Sequence, residues 1–247
     1  MAVVAIMENQ IVSISFFKYK GRKNRWWGFR QMGLAPEQLQ SVEGLTFCKM
    51  LGSGAGNGFS IRPNFGVYGL LCAWQNEAMA KDFLAKHSLM AEFREKASSI
   101  WTIFLKTAHA HGRWDNEEPF QTNVPYNKDQ LVAVITRATI HPNKLWQFWR
   151  FVPPVSRSMS THKEGLLFSV GIGELPLIQQ ATFSLWENSH HMMNFAYKSK
   201  LHKRVVKRTR EVGWYKEELF ARFHPFASFG SWEGKDPLAG LQLAVFS

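Results

Sequence analysis

The segment GLTFCKMLG, from Gly44 to Gly52, recurs in the chain as GLLFSVGIG, from Gly165 to Gly173. The two segments share Gly, Leu, Phe and Gly at aligned positions, and each reads as a strand. A sequence that matches itself at a long separation is typical of an internal repeat. This pair therefore predicts a chain built from two similar halves.

Two further pairs of segments extend the match in the same order along the chain. WWGFR (26–30) matches WQFWR (146–150), and AWQNEAMAKDF (73–83) matches LWENSHHMMNF (185–195). The first pair is separated by 120 residues and the second by 112. Three matches in the same order indicate a duplication more strongly than any one of them does.

Each half reads as strand, helix, strand, strand, helix, strand when apolar alternation and turn residues set the boundaries. The predicted strands are Val12 to Phe17, Leu45 to Leu51, Val67 to Ala73, Ile100 to Ala108, Leu131 to Thr139, Leu166 to Ile172, Ala181 to Leu185 and Glu217 to Phe226. The predicted helices are Arg25 to Met32, Glu77 to Lys96, Asn143 to Phe151 and Ser189 to Glu211, and Gly52 to Asn64 is predicted to be a loop.

A βαββαβ unit is the ferredoxin-like arrangement, an antiparallel sheet with both helices on one face. Two such units can pack sheet against sheet around a shared core. We therefore predict an α+β fold in which two ferredoxin-like repeats form a pseudo-two-fold α/β barrel or sandwich. The N-terminal half spans residues 1–114, a linker with Pro, Asn and acidic residues spans 115–130, and the C-terminal half spans 131–247.

The composition limits the class of protein. The chain has 247 residues, 45% of them hydrophobic, so it can bury a full core. Its start, MAVVAIMENQIVSISFF, lacks the pattern of a secretory signal, and no apolar run reaches the roughly 20 residues of a membrane span. Cys48 and Cys72 have neither zinc-binding nor redox spacing and are too few for a disulfide framework. These features favour a cytoplasmic protein.

A formal net charge of +11 favours anionic partners. The basic residues are concentrated in Lys18 to Arg30 and in Lys198 to Arg210, and the second segment has seven Lys or Arg in thirteen residues. Either run can also be a solvated face. Nucleic acid is the less favoured partner, because the aromatic residues fall mainly on apolar stripes rather than in an interleaved surface patch.

One histidine of the last predicted helix stands on its apolar face. Helical spacing puts one stripe through Met192, Phe195, Ser199, His202, Val206 and Thr209. An imidazole there bonds a neighbour, stays neutral and buried, or ligates a group. At the repeat offset of 112 the counterpart of His202 is Met90. This difference favours a site in the C-terminal half, although Met also fills irregular cores.

Segments along nearly the whole chain resemble the spheroidene monooxygenases of carotenoid biosynthesis. They are QMGLA (31–35), GLTFCKMLGSGAGNGF (44–59), PNFGVYGLLCAW (63–74), TRATI (136–140), QQATFSLW (179–186), FAYKSKLH (195–202) and REVGWYKEELFARF (210–223). The resemblance implies a haem-containing, O2-dependent enzyme that takes electrons from reduced ferredoxin. It would hydroxylate an acyclic carotenoid such as spheroidene twice at the methylene beside the polyene, and loss of water then leaves a ketone. A broader group of dimeric α/β-barrel proteins shares the Trp, Phe and His pattern of the last helix.

The resemblance makes His202 the first candidate for the axial ligand of the haem iron, with Met192 and Phe195 beside the cofactor on the same helix face. A satisfied core histidine is the alternative reading of His202. Other ligands stay open, because either cysteine could bind iron as a thiolate. His190 and His191 start the same helix and are predicted to cap it or face solvent.

Three arginines are candidates for pairing the haem propionates, because guanidinium binds carboxylate in a bidentate manner. They are Arg30, Arg137 and Arg150, and the alternative role of each is a surface ion pair. Arg137 is the least surface-like of the three, since it stands inside the apolar strand LVAVITRATI.

A carotenoid is a membrane solute, so the resemblance implies that the protein collects its substrate at the inner membrane surface. Lys198 to Arg210 is predicted to contact anionic lipid or an acidic ferredoxin. The loop GSGAGNGF (52–59) lacks phosphate-binding spacing and is predicted to be a lid over a long substrate. A haem protein with another substrate, a non-catalytic haem or ligand carrier, and a homo-oligomer all stay open at this point.

Overall fold

A computed structural model describes residues 10–54, 62–151, 164–198, 208, 209 and 211–246. The strands are β1 (Ile11–Lys18), β2 (Leu45–Gly54), β3 (Pro63–Trp74), β4 (Ser99–Gly112), β5 (Val132–Ile140), β6 (Leu166–Gly173), β7 (Gln179–Trp186) and β8 (Tyr215–Gly230). The helices are α1 (Arg22–Leu39), α2 (Glu77–Lys86), α3 (Ser88–Lys96), α4 (Leu145–Phe151, after the 3-10 turn Pro142–Lys144) and α5 (Ser189–Lys198). Within these ranges no helix is both long and apolar enough to cross a membrane.

The eight strands close into a barrel in the order β1-β3-β2-β6-β7-β5-β8-β4, and neighbouring strands are antiparallel. In both halves the strand order is fourth, first, third, second. One seam between the halves is short, because β2 and β6 share two residue pairs, whereas β4 and β8 pair along the other seam from Trp101 to Gly112. The predicted α+β class and barrel are confirmed, and the closed strand order excludes a sandwich.

Residues that the sequence repeat relates occupy equivalent places. Gly44 and Gly165 both have positive φ, 74° and 68°. A Cβ on Gly44 would collide with Met79, and a Cβ on Gly165 would collide with His191. Met79 and His191 are separated by 112 residues, the same offset as the flanking sequence match. The two halves therefore share a strand order and these glycine settings, and their identity as ferredoxin-like repeats stays a prediction.

Inward-facing side chains from all eight strands fill the barrel. Trp114 and Phe120 are buried in the same core, 1% and 5% exposed. Phe120 belongs to the predicted linker and Trp114 directly precedes it. Because each aromatic side chain removes a large apolar area from water, Trp114 and Phe120 anchor the connection to the core, while most of residues 115–130 lie at the surface.

The first helix is longer than the prediction of residues 25–32. It begins at Arg22, passes through Pro36 and ends at Leu39. Its buried positions keep helical spacing, and they are Gly28, Gln31, Ala35 and Leu39. Packing of this stripe on the sheet holds the last turn, although proline removes one backbone hydrogen bond.

The predicted helix Glu77 to Lys96 is two helices. His87 has extended backbone angles, and its Nδ1 accepts a hydrogen bond from the Leu89 amide at 3.2 Å. This side chain caps the start of α3, so the chain bends between α2 and α3.

Two other predicted segments are described only in part. The loop predicted at Gly52 to Asn64 is shorter at both ends, because β2 continues to Gly54 and β3 begins at Pro63. Residues 55–61 lie outside the described residues. The predicted helix from Ser189 to Glu211 is described as α5 as far as Lys198. His202 lies outside the described residues.

Gly112 ends β4 in a conformation that other residues rarely adopt. Its φ is 88°, and a Cβ there would collide with the carbonyl oxygen of Glu218 on β8. We expect Gly112→Ala to lower the free energy of unfolding by about 2 to 4 kcal/mol, through backbone strain and steric overlap. Urea denaturation measures this loss.

Gly33→Ala is the matched control for this substitution. Gly33 lies within α1, is exposed, and has no atom within 4 Å of an added Cβ. Alanine there should raise stability by about 0.5 to 1 kcal/mol, because it restricts the unfolded chain and favours helix. Equal stability of the wild type and Gly112→Ala would show that β4 does not need this backbone geometry.

Candidate active site

Helix α5 packs on the outer face of the C-terminal half through the first part of the predicted stripe. Met192 is 7% exposed and packs with Val132, Val134 and Trp186. The Phe195 ring lies 5.4 Å from the Trp186 ring. Both stripe residues therefore face the sheet, as their helical spacing predicts.

The middle of this outer face carries small side chains. Helix α5 covers the end at Val132 and Trp186, and α4 packs near Ile140 and Trp214. Between them, strand alternation and register place a small-residue band on the outer face, formed by Thr136, Ala138, Ser169, Gly171, Thr182 and Ser184.

Three positions of this band carry smaller residues than their counterparts in the N-terminal half, whereas Thr136, Ser169 and Ser184 correspond to the similarly small Ser15, Cys48 and Cys72. By the offsets of 121 and 112, Met50 corresponds to Gly171, Leu70 to Thr182 and Phe17 to Ala138. These three replacements reduce the side-chain volume on this face of the sheet, and the apolar face of α5 packs beside it.

A cavity in the N-terminal half lies beside the counterpart of His202. Met90 lines a cavity of about 400 Å³ together with side chains of α2, β4 and the end of β8, including Thr102, Phe104 and Phe229. The equivalent position in the C-terminal half belongs to His202. The repeat relates Met90 at this cavity to His202, which lies outside the described residues.

A smaller cavity of about 140 Å³ lies at the short seam between the halves, and we term it the seam cavity. Its lining includes Phe29, Met32, Phe65, Tyr68, Gly171, Pro176 and Gln180. Because Gly171 also belongs to the small-residue band, the cavity and the band adjoin. A cavity of roughly 150 Å³ holds one benzene-sized group, so the seam cavity fits the end of an apolar chain.

The Tyr68 hydroxyl is a polar group in this apolar lining. Tyr68 is 2% exposed, and its hydroxyl has no hydrogen-bond partner among the described residues. Burial raises the pKa of Tyr68 to about 12. A buried hydroxyl without a partner is costly, so an oxygen atom on a bound molecule would stabilise it.

Arg137 lies inside the barrel, within a group that we term the inner ion cluster. The cluster comprises Lys49, Asp115, Arg137, Glu174 and Glu217. Arg137 is 1% exposed, binds Glu217 directly and Asp115 at 3.0 Å, and its guanidinium carbon lies 5.3 Å from the Trp114 ring centroid. Lys49 pairs with Asp115 and, at 3.2 Å, with Glu174.

Backbone amides and ion-pair partners favour the charged forms of Glu217 and Lys49 in this cluster. Burial works to raise the pKa of Glu217, but the Asn116 and Asp115 amides and Arg137 outweigh it and hold the pKa below its ordinary value. Burial works to lower the pKa of Lys49, and its two carboxylate partners outweigh that effect and raise it. Glu217 and Lys49 are therefore charged near neutral pH.

The three predicted propionate-binding arginines are not brought together. Arg137 lies on the face of β5 opposite to α5 and has carboxylate partners within the protein. Its placement gives no support to a role in binding propionate. Arg30 and Arg150 are exposed, and the Arg150 guanidinium lies 4.5 Å from the Trp146 ring centroid. The propionate role of Arg30 and Arg150 stays a prediction.

Most histidines near α5 have other partners. His224 is buried, its Nε2 accepts from the Asn127 amide at 3.0 Å, and its Nδ1 bonds the Leu131 carbonyl at 2.9 Å. Burial lowers the pKa of His224, so it is a neutral core histidine. His190 is exposed. His191 lies against Gly165 with Nε2 3.6 Å from Glu187, and its buried Nδ1 has no hydrogen-bond partner among the described residues.

The cysteines are poorly suited to ligate iron as thiolates. Cys48 and Cys72 face each other across β2 and β3, and burial raises the pKa of both. A raised pKa favours the thiol over the thiolate that binds metal. Within the described residues no three His, Cys, Asp or Glu side chains are grouped to hold a metal ion. A haem iron, in contrast, needs as few as one axial side chain.

Sequence reasoning missed Tyr68 and the acidic members of the inner ion cluster. Tyr68 lies in PNFGVYGLLCAW, where strand alternation alone does not show which face borders a cavity. The acidic partners come from separate parts of the chain, so no local spacing relates them to Arg137. The one available signal was a single arginine within an apolar strand.

Proteins similar in sequence cover nearly the whole chain. It is 37% identical over 232 residues to the spheroidene monooxygenase of Rhodobacter capsulatus, a match that covers 93% of this chain and 95% of that protein. Identity to the spheroidene monooxygenase of Cereibacter sphaeroides is 34%, over 93% of this chain and 71% of that protein. The enzyme of the same name from Rubrivivax gelatinosus is 30% identical, with coverages of 85% and 80%. No protein-family model matches the chain.

Solved structures show similarity of fold. A crystal structure of aldoxime dehydratase superposes with a TM-score of 0.61 at 9% identity, covering 96% of this chain and 90% of that one. Another, in complex with butyraldoxime, gives a TM-score of 0.58 at 11% identity, with coverages of 89% and 80%. At these identities the similarity describes the fold alone.

Proposed function

The chain belongs to the spheroidene monooxygenase family, and from this membership we propose that it oxidises a methylene of an acyclic carotenoid to a ketone. The family resemblance drawn from its motifs is confirmed by these relatives. Their shared name supports the substrate class, and the match over most of the chain supports carrying it to this protein.

The proposed reaction consists of two hydroxylations and a dehydration. In each hydroxylation a C–H bond breaks and a C–O bond forms, one atom of O2 enters the substrate, and the other leaves as water with two electrons and two protons. The second hydroxylation at the same carbon gives a gem-diol, which loses water to leave the ketone. We propose reduced ferredoxin as the electron donor, as the family resemblance implies.

We propose haem as the cofactor, with His202 as the residue that would ligate its iron and the small-residue band as the surface that would lie beside it. When bound, haem supplies the activation of O2. Met192 and Phe195 would form the apolar wall beside it. The observation that carries this proposal is the reduced volume of the band, with Gly171, Thr182 and Ala138 replacing larger residues of the other half.

The seam cavity would hold the end of the carotenoid next to this site. Its mainly apolar lining would favour an apolar end group, and its connection with the band through Gly171 would direct the chain toward the cofactor. The Tyr68 hydroxyl would donate a hydrogen bond to an oxygen on the end group and so fix which methylene is presented.

A turnover assay tests the proposed function. Purified protein reconstituted with haem would receive an acyclic carotenoid in detergent micelles, O2 and reduced ferredoxin, and products would be separated by chromatography and weighed by mass spectrometry. We expect a product in which one oxygen replaces two hydrogens, preceded by the singly hydroxylated intermediate. Haem binding without any product would favour a haem carrier or a different substrate. Absence of haem binding would overturn the cofactor assignment.

Tyr68→Phe tests the role of the cavity hydroxyl. We expect KM for an oxygenated acyclic carotenoid to rise about fivefold, because one neutral hydrogen bond to substrate contributes about 1 kcal/mol. The haem spectrum should not change. A substrate that lacks oxygen at that end should be insensitive to the substitution.

Tyr19→Phe is the matched control for Tyr68→Phe. The Tyr19 ring lies 5.9 Å from that of Tyr68, and its hydroxyl is also buried without a described partner, yet Tyr19 does not line the cavity. It should leave KM unchanged. Equal effects of the two substitutions would show that Tyr68 acts through packing rather than through substrate contact.

A further inference from the structure

Helix α1 presents a row of aromatic rings to solvent. Trp26 is 63% exposed, Phe29 43% and Phe65, at the start of β3, 53%. The Trp26 and Phe29 rings stack with centroids 5.5 Å apart, and the Phe29 and Phe65 rings meet edge-on at 5.8 Å. Exposed aromatic side chains in contact with one another form an apolar patch, which marks an interaction site more often than scattered single residues do.

Basic residues surround this aromatic row. From Lys18 to Pro36 the chain has six Lys or Arg and no acidic residue. Arg22, Lys23 and Arg30 are exposed on α1, and no salt bridge joins them to an acidic residue within the described part of the chain. The surface thus combines apolar rings with positive charge that is not neutralised locally.

We propose that this α1 face docks on an anionic lipid bilayer. Trp and Phe flanked by Lys and Arg suit the boundary between headgroups and acyl chains, where rings enter the apolar region and cations meet anionic headgroups. A helix of this kind lies in the plane of the interface without spanning it. The partner is therefore a lipid surface with negative charge.

The seam cavity connects this face with the proposed active site. Phe29 and Phe65 belong both to the aromatic row and to the cavity lining. Pro176 lines the cavity from the opposite half, and the neighbouring Leu175 and Leu177 are 53% and 38% exposed. Apolar side chains of both halves therefore surround the cavity mouth. The docked face would admit the end of a carotenoid directly from the bilayer. This role of the cavity rests on the proposed function.

The charge part of the proposal is tested by vesicle flotation. Wild type should bind vesicles containing phosphatidylglycerol, bind pure phosphatidylcholine vesicles far more weakly, and dissociate from the former as salt is raised. The double variant Arg22→Gln with Lys23→Gln should bind anionic vesicles about thirtyfold more weakly, since two cations near the surface are removed. The double variant Lys81→Gln with Lys86→Gln makes the same charge change on α2 and should bind like wild type.

The aromatic part is tested by Trp26→Ser, which should weaken binding to the same vesicles at least about tenfold. Phe229→Ser is its control, because Phe229 is 42% exposed on β8, away from α1. Equal losses in the α1 variants and their controls, or undiminished binding to phosphatidylcholine, would overturn the proposal.

Turnover assays separate docking from catalysis. Trp26→Ser and the Arg22, Lys23 double variant should keep wild-type turnover on carotenoid in detergent micelles and lose at least about tenfold on carotenoid held in anionic vesicles. Vesicle binding without any turnover would refute the proposed function and leave the docking surface intact. If the wild type turns over carotenoid in micelles but the α1 variants bind vesicles as tightly as the wild type, the docking surface alone is refuted.

Other occupants of the α1 face give different outcomes. If an acidic electron-donor protein binds this face instead, the charge variants should lose turnover in micelles when the donor concentration is limiting. If a second copy of the chain binds this face, Trp26→Ser should change the sedimentation coefficient of the protein. Either result, with vesicle binding unchanged, would overturn the bilayer proposal.

Discussion

Replacing His202 by alanine should abolish the Soret absorption of the reconstituted protein and reduce carotenoid turnover by at least about a thousandfold. The proposed haem would lose the one protein ligand assigned to its iron. Absorption spectroscopy during haem titration measures the first effect, and product formation measures the second. A normal Soret band in His202→Ala would show that His202 is a core histidine.

His190→Ala is the matched control, because it removes an imidazole from the exposed side of the same helix. It should leave the spectrum unchanged. Added imidazole separates ligation from folding: in His202→Ala it should restore much of the Soret band if the protein is otherwise intact. Failure of rescue together with a native circular dichroism spectrum would contradict the assignment of His202 as ligand.

Replacing Arg137 by methionine should lower the free energy of unfolding by about 3 to 5 kcal/mol. Methionine keeps most of the side-chain length but leaves Glu217, Glu174 and Asp115 close together with Lys49 as their sole cation in the inner ion cluster. Removing the buried partner of a charge pair costs up to this amount, because Glu217 and Glu174 stay largely out of water, at 18% and 19% exposed, whereas Asp115 at 41% is partly solvated. Guanidinium chloride denaturation measures the change.

Arg150→Met is the control for this substitution, since Arg150 is exposed and its described contact is with the Trp146 ring. It should cost less than about 1 kcal/mol. If Arg137→Met prevents folding, Glu217→Gln gives a milder measurement, because the amide oxygen can still accept the Asp115 and Asn116 amides; about 1 to 2 kcal/mol is expected. Equal stability of Arg137→Met and Arg150→Met would show that the cluster contributes little.

The Arg137 variants also test the earlier propionate prediction. If Arg137 acts only within the barrel, haem affinity of a folded Arg137→Met protein should equal that of the wild type. If Arg137→Met lowered haem affinity without changing stability, the result would favour the prediction that Arg137 pairs with a propionate.

Much of the fold was accessible from the sequence because duplication and strand alternation are local patterns. All eight predicted strands are present, and their centres agree with the structure. Errors occurred where a side chain or tertiary packing overrides local preference. His87 interrupts a helix by capping the next one, and the packed stripe of α1 continues the helix through Pro36.

The candidate site was only partly predictable. Helical spacing placed Met192 and Phe195 on the inward face of α5, because the positions on one helix are fixed by its geometry. The small-residue band was not recognised, since it joins residues of β5, β6 and β7 whose register depends on barrel closure. Its significance emerges only from comparison with the equivalent face of the other half.

The sequence by itself determined the family, the eight strands, and the part of the helix stripe formed by Met192 and Phe195, because each depends on residues near one another in the chain or on similarity along it. Only the tertiary structure decided that Arg137 points into the barrel, that Tyr68 lines a cavity, and that Phe65 joins the aromatic row of α1. These relations link residues from separate strands and helices, as with Arg137 and Glu217, 80 positions apart. Strand pairing and closure of the barrel fix them, and no local spacing in the sequence carries that information.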